Sequence, residues 1–282
     1  MNEGDRFVVK VWGHRGCRGS ENPPENSIAA FQEAFRQSAD GIELDVFPTR
    51  STQDDPSRLV VFHDDRLERM TTGQGAITTY TWRELKGFYL KDNAGIKVTR
   101  ETIPTLDSVL DAVEGSVLKS GAVVNIEAKE IKGGNMSAFI AGAIQRKLAA
   151  GWKRSNFLVS SFDMGFLRGM RMVDKTIPVG VLLASDNAPW DIEEKILSRH
   201  LLEIRDIKPD YINITLPSLT DRVAGMIRDF GADPIAWTYD EVMPTSLSEV
   251  RKRELVRCLT RNAAVIITDY PAPMRQVIES YP

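Results

Sequence analysis

Short β-branched runs alternate with longer amphipathic stretches along almost the whole chain, and this rhythm constrains the fold more than any other feature. The runs are Phe7–Gly13, Gly41–Phe47, Leu59–His63, Val123–Lys129, Phe157–Ser161, Ile177–Leu183, Tyr211–Ile214, Pro234–Tyr239 and Val265–Thr268. Helical patterns lie at Ser27–Ser38, Leu106–Val113, Ser137–Ala150, Met164–Met172, Asp191–Arg205, Leu219–Phe230, Leu247–Leu259 and Ala272–Glu279. In the first of these Ile28, Phe31 and Phe35 fall three and four apart, and Asn26 stands as the expected N-cap. Strand–helix alternation is the mark of parallel βα units. Nine runs are one more than a closed eight-stranded barrel needs. The connection PTRSTQDDPSR, between Phe47 and Leu59, is polar, holds two prolines and has no helical period. A parallel crossover takes about a dozen residues and usually a helix, so Leu59–His63 is predicted to be the return arm of a hairpin. The expected architecture is an α/β fold: one TIM (β/α)8 barrel over residues 1–282, with a small subdomain inserted after the second strand at about 48–105.

Composition narrows the function. Lys+Arg 36 against Asp+Glu 39 leaves a net charge of −3, without the basic excess of a nucleic-acid binder. Cys17 and Cys258 make neither a disulfide framework nor a CxxC metal site, and suit a reducing compartment. Residues 1–10 carry no apolar run of signal-peptide length, and no stretch approaches a membrane span. The expectation is a soluble cytoplasmic protein with no nucleic-acid partner and no membrane span; homo-oligomerisation is left open.

The chemistry-bearing residues cluster at strand ends. Two of the three histidines, His14 and His63, end strand runs, and barrel enzymes place their chemistry at the carboxyl ends of the strands. Imidazole also has the unperturbed pKa best suited to proton transfer near neutrality. Glu43 and Asp45, two apart in GIELDVF, share a strand face opposite Ile42, Leu44 and Val46. Glu127 is a third acid within an apolar run, with Lys129 two residues on. Three converging carboxylates suit a hard cation, Mg²⁺ or Ca²⁺. Taken one at a time, each acid is better explained by ion pairs among Glu127, Lys129 and Arg15; the set favours the cation. The Arg15 fork, beside Gly16, and the Lys129 point charge are what a phosphate diester near a cation needs.

GHRG at 13–16, PEN at 24–26, GIELDV at 41–46, VVFHD at 60–64 and NIEAK at 125–129, in that order, resemble the glycerophosphodiester phosphodiesterase family. VSSFD at 159–163, PVGVLL at 178–183, AWTYD at 236–240 and IITDYP at 266–271 resemble its later strands. The resemblance implies a TIM barrel in which Glu43, Asp45 and Glu127 ligate one divalent cation, Mg²⁺ or Ca²⁺. It implies His14 and His63 as general acid and base, and Arg15 and Lys129 on the phosphoryl oxygens. Glu25 and Asn26 would support the phosphate site, and Trp237 would line the substrate pocket. The implied reaction cleaves a small-molecule glycerophosphodiester to sn-glycerol 3-phosphate and an alcohol. The polar CRGSENPP loop, Ser27 in place of the usual Thr and the long TRSTQDDPSR turn depart from the family pattern at the rim. Two rival readings stand beside it. One is phospholipase D-like cleavage of lysophospholipids, with an acyl channel near Trp82, Phe88, Tyr89 and Leu90. The other is a barrel that binds a phosphodiester without cleaving it, and such a barrel has no use for an acid–base pair.

Overall fold

The structure, a computed structural model, describes residues 8–19, 21–129, 136–183, 194–239 and 243–281. Phe7 and the start of the helix expected at Asp191 lie outside the described residues. The strands begin with β1 (Lys10–Gly13), β2 (Gly41–Pro48), β3 (Leu59–Val61), β4 (Tyr89–Lys91) and β5 (Val98–Thr102). They continue with β6 (Val123–Ala128), β7 (Phe157–Ser161), β8 (Val179–Leu182), β9 (Tyr211–Thr215), β10 (Asp233–Tyr239) and β11 (Val265–Thr268). Neighbours in the order β2-β6-β7-β8-β9-β10-β11-β1 pair in parallel, and Trp12↔Gly41 and Gly13↔Ile42 close the ring between β1 and β2. This is the eight-stranded TIM barrel. Strand β3 runs antiparallel to the end of β2, with Val46 opposite Val61, as the short polar connection predicts.

Strand alternation divides the barrel wall. Ile42, Leu44 and Val46 of β2 and Val124, Ile126 and Ala128 of β6 face outward into the layer between barrel and helices. The alternate residues face the lumen. Lower down they are apolar: Trp12, Leu158, Ile235 and Val265 pack into a cluster that Ile267 joins from the cleft side. Toward the carboxyl ends they are polar: Glu43 and Asp45 of β2, Asn125 and Glu127 of β6, and Ser160 of β7.

Two local readings are corrected. The first helix spans Ile28–Arg36, and its N-cap is Ser27, whose hydroxyl accepts the Ala30 N–H at 3.1 Å. Asn26 sits at φ 59° with its side chain turned to Asp45, so it cannot cap. The helix beginning at Leu106 runs to Ser120, beyond the expected Val113, and ends where Gly121 adopts φ 71°.

The insertion carries β4 and β5 as a two-stranded antiparallel sheet that the sequence pattern did not show. Val60, Phe62, Leu67, Met70, Leu85 and Leu90 are among the residues of its own apolar core, with Trp82 and Phe88 packed against them. Three of the four residues proposed for an acyl channel are therefore occupied in holding the insertion together; Tyr89 is exposed. Among the described residues no helix is long and apolar enough to cross a membrane.

Candidate active site

The site forms at the carboxyl ends of β1, β2, β3 and β6. His14 continues the β1–β11 ladder by donating its N–H to the Thr268 carbonyl at 2.9 Å. The chain then turns sharply, with Arg15 at φ 50° and Gly16 at φ 88°. A Cβ on Gly16 would lie 2.6 Å from the Ala30 carbonyl carbon, so this turn against the first helix admits only glycine. The turn aims Arg15 back at the barrel. Its backbone N–H donates to Glu43 Oε2 at 3.0 Å, Nη1 to Glu25 Oε1 at 2.9 Å, and Nε lies 3.4 Å from Asp45 Oδ2.

Register places the acids. Glu43 pairs with Asn125 and Asp45 with Glu127 across β2 and β6. One oxygen from each of Glu43, Asp45 and Glu127 lies within 4.8 Å of the others. Lys129 Nζ reaches Asp45 Oδ1 at 2.6 Å and also donates to Glu127. Three acids against Arg15 and Lys129 leave the cluster formally one charge negative. Burial, then the neighbouring Asp45 and Glu127, drive the Glu43 carboxyl well above its usual range, and Arg15 and Lys129 offset only part of this. Burial also works against ionised Asp45, but Lys129 and Arg15 hold it well below the usual carboxylate range. Glu43 Oε1 is buried without a hydrogen-bond partner. An orphaned carboxylate oxygen among convergent oxygen donors fits a hard divalent cation, which would satisfy it and balance the excess charge.

Each strand-end histidine is backed by an aspartate. His14 Nδ1 lies 2.7 Å from Asp269 Oδ1, and His63 Nδ1 lies 2.7 Å from Asp64 Oδ1. Burial and then Arg15 lower the pKa of His14, against the hydrogen bond to Asp269, so its imidazole is neutral near neutrality. With Nδ1–H given to Asp269, Nε2 is left as the lone-pair nitrogen. Behind the histidines Arg18 donates to Glu25 Oε2 at 2.7 Å and to Asp269 Oδ2 at 3.3 Å. Arg69, from the insertion, donates to Asp64 Oδ2 at 2.5 Å and to Glu25 Oε1 at 2.6 Å.

His14, His63, Arg15, Glu43, Glu127 and Lys129 line one wall of a cleft of about 460 Å³. Phe162, Leu182, Pro217 and Trp237 form the opposite wall, where Trp237 meets Phe162 edge to face at 5.8 Å. An open groove of about 640 Å³ continues from His63 and Lys129 past Asp65 and Arg66. Asp45, Glu25 and Asn26 stand behind the lining. Asn26 Nδ2 donates to Asp45 Oδ2 at 2.8 Å, and both Glu25 oxygens accept from arginines. Asp269, Arg18 and Arg69 were not foreseen from the sequence. Asp269 left a readable signal: β11 neighbours β1 in a closed ring, and Gly13↔Thr268 puts the next residues, His14 and Asp269, side by side. Cys17 is buried, which with nearby Glu33 and Asp269 pushes its thiol up to about 12 and leaves it unreactive.

The chain resembles known proteins over this whole framework. A glycerophosphodiester phosphodiesterase of Caldanaerobacter subterraneus subsp. tengcongensis is 32% identical over 273 residues, covering 95% of this chain and 97% of that one. The solved phosphodiesterase of Oleispira antarctica, in complex with the product sn-glycerol-3-phosphate, superposes with a TM-score of 0.73 at 23% identity over 96% of each chain. A glycerophosphodiester phosphodiesterase from Agrobacterium tumefaciens gives 0.70 at 22% identity over 95% of this chain and all of that one (100%). These two likenesses establish the barrel. Residues 14–272, from the first strand-end histidine to just past the aspartate beside it, match the glycerophosphoryl diester phosphodiesterase family, and the chain belongs to that family.

Proposed function

We propose that the protein hydrolyses glycerophosphodiesters to sn-glycerol 3-phosphate and an alcohol such as choline or ethanolamine. One observation carries the reading: two carboxylate-backed imidazoles open onto the same cleft as a three-carboxylate cluster and two fixed cations. Family membership supports it, as does the product held by the Oleispira relative.

Glu43, Asp45 and Glu127 would hold one divalent cation, Mg²⁺ or Ca²⁺, which when bound supplies Lewis-acid withdrawal of charge from the phosphoryl group. Arg15 and Lys129 hold the non-bridging oxygens and offset the charge that grows on them in the transition state. Asn26 keeps Asp45 oriented from behind, and Glu25 keeps Arg15 extended. Trp237 and Phe162 give the carbon skeleton an apolar wall. One imidazole takes the proton of the attacking hydroxyl while the other delivers a proton to the departing alkoxide. If the glycerol 2-hydroxyl attacks, a cyclic phosphate forms and water opens it, with the two imidazoles exchanging roles in the second step. If water attacks directly, a single displacement suffices: one imidazole takes the proton of water and the other protonates the departing alkoxide.

The test is release of sn-glycerol 3-phosphate from glycerophosphocholine, with and without EDTA and with Mg²⁺ or Ca²⁺ restored. Product that vanishes with chelator and returns with metal is the expected result. Cleavage of lysophosphatidylcholine but not glycerophosphocholine would overturn the substrate, and metal-dependent binding without product would overturn the reaction. The first is not expected, because Trp82, Phe88 and Leu90 are committed to the core of the insertion.

A further inference from the structure

The two histidines are joined by an unbroken chain of ionic contacts. From His14 it passes to Asp269, Arg18 and Glu25, then to Arg69, Asp64 and His63. We propose that Glu25 is the bridge that holds the two histidine–carboxylate pairs as one unit, with Arg18 and Arg69 as positioning residues for the reaction. The inference rests on the acid–base reading of His14 and His63.

Glu25 is built for this task rather than for contact with an anion. It is 3% exposed, and its two oxygens accept from Arg15, Arg18 and Arg69. Arg69 Nη1 and Nη2 fork onto the two Glu25 oxygens at 3.3 and 2.6 Å, while Nε and Nη2 reach Asp64 at 2.5 and 2.8 Å. A planar guanidinium between two carboxylates sets their separation and their relative tilt. Arg18 does the same on the other side, with Nε on Glu25 and Nη1 on Asp269. The backbone of Glu25 is fixed as well: its N–H donates to Asn93 Oδ1 at 2.7 Å, and the Asn93 amide donates to the carbonyls of Gly19 and Pro23 at 3.1 and 3.0 Å. Arg69 and Asn93 both come from the insertion, so the insertion reaches the chemistry through Glu25. Coordinated proton transfer needs both imidazoles at one spacing across the reacting phosphate, and a displacement of about an ångström costs roughly 100-fold in rate.

The simplest competing role for these arginines is direct binding of the phosphate, since each lines a cleft or groove wall. The two roles separate in kinetics: a lost phosphate contact raises KM, whereas a lost positioning contact lowers kcat.

The chain has 3 histidines, so the ring signals of His14, His63 and His200 can be followed individually by NMR in the whole 282-residue, Mg²⁺-saturated chain. His200, which pairs with Glu203 on its own helix (Glu194–Glu203), outside the candidate site, is the internal reference. Arg69→Met is expected to move the signals of both His63 and His14, and Arg18→Met to move both as well, with His200 unchanged. On glycerophosphocholine each single variant should lose about tenfold or more in kcat with KM within about threefold, and the double variant should be no more than about threefold worse than the weaker single. Arg69→Lys, which keeps the charge but loses the fork, should recover thermal stability and not kcat. It keeps the test decisive if Arg69→Met folds poorly. Signals that move only at the nearer histidine, or single effects that multiply in the double variant, would overturn the bridge. If the unaltered protein releases no sn-glycerol 3-phosphate, the catalytic reading fails instead, and the histidine signals still decide whether the bridge exists.

Discussion

In the lower half of the barrel lumen Trp12, Leu158, Ile235 and Val265 pack against one another, whereas toward the carboxyl ends the strands present Glu43, Asp45, Asn125 and Ser160. Strand β7 contributes to both layers, Leu158 below and Ser160 above, and both side chains are 0% exposed. Equal burial has opposite consequences. An apolar side chain removed from water stabilises the fold by roughly 1.5–3 kcal/mol. Lys129 and Arg15 more than offset the hydration that buried Asp45 loses, but Glu43 loses hydration that its ion partners only partly restore. The Glu43 oxygen left without a partner shows that the restoration is incomplete. The lower layer therefore stabilises the fold, while Glu43 in the upper one works against it and is placed by chemistry rather than by folding.

Substitutions in the two layers should affect opposite readouts. His14→Ala or His63→Ala should lower kcat by about two to four orders of magnitude, about 3–5 kcal/mol on the barrier, and leave the thermal midpoint nearly unmoved. Leu158→Ala should do the reverse, costing about 2–5 kcal/mol of stability with kcat per folded molecule unchanged. Denaturant unfolding and steady-state rates on the same preparations check both. A His14→Ala protein that melts early, or a folded Leu158→Ala protein that is inert, would show that the layers do not divide in this way.

Glu25 is as buried as a core residue and yet ionised. Burial alone would raise its pKa, but Arg15, Arg69 and Arg18 outweigh burial and bring it down to about 2. A carboxyl depressed in the folded state stabilises the protein above its unfolded pKa of 4.5, and that stability is lost as pH falls from there toward about 2. The gap of 4.5 to about 2 corresponds to about 3 kcal/mol. Glu25→Gln should therefore be less stable than the parent by about that amount at neutral pH, and the difference should shrink below pH 4.5. Unfolding free energies of the two proteins from neutral to acid pH give the answer. A difference that stays constant with pH would mean that ionisation of Glu25 is not what holds the three arginines.

What was legible in the sequence is what repeats. The barrel followed from apolar runs of strand length, and the antiparallel arm from a connection too polar and too short to cross over. Glu43 and Asp45 followed from a spacing of two within an apolar strand. The contacts behind the histidines do not repeat. His14 and Asp269 are 255 residues apart, and Glu25 and Arg69 are 44 apart, so only the closed ring and the folded insertion bring them together. Strand β4 has 3 residues, too few to show an alternation, so the insertion's sheet was invisible. The sequence does not separate neighbouring Asn26 and Ser27, because both residue types cap helices well and only the backbone angle tells them apart.

That pair provides the smallest expected effect and a fine test of the division. The Ser27 side chain is 0% exposed and satisfies the Ala30 N–H, which has no partner within the helix. Ser27→Ala should cost about 1 kcal/mol of stability and leave kcat within about twofold of the parent, while Ser27→Thr, which keeps the hydroxyl, should restore most of the loss. Asn26, one residue earlier, donates to the Asp45 carboxylate and accepts the Asp45 N–H, so its removal acts on an acid of the candidate cation site. Asn26→Ala is accordingly the variant whose kcat or metal requirement should change. Were Ser27→Ala instead to shift the metal requirement, the boundary between folding and chemistry would not run between these two adjacent residues, one holding a helix end and the other holding a carboxylate.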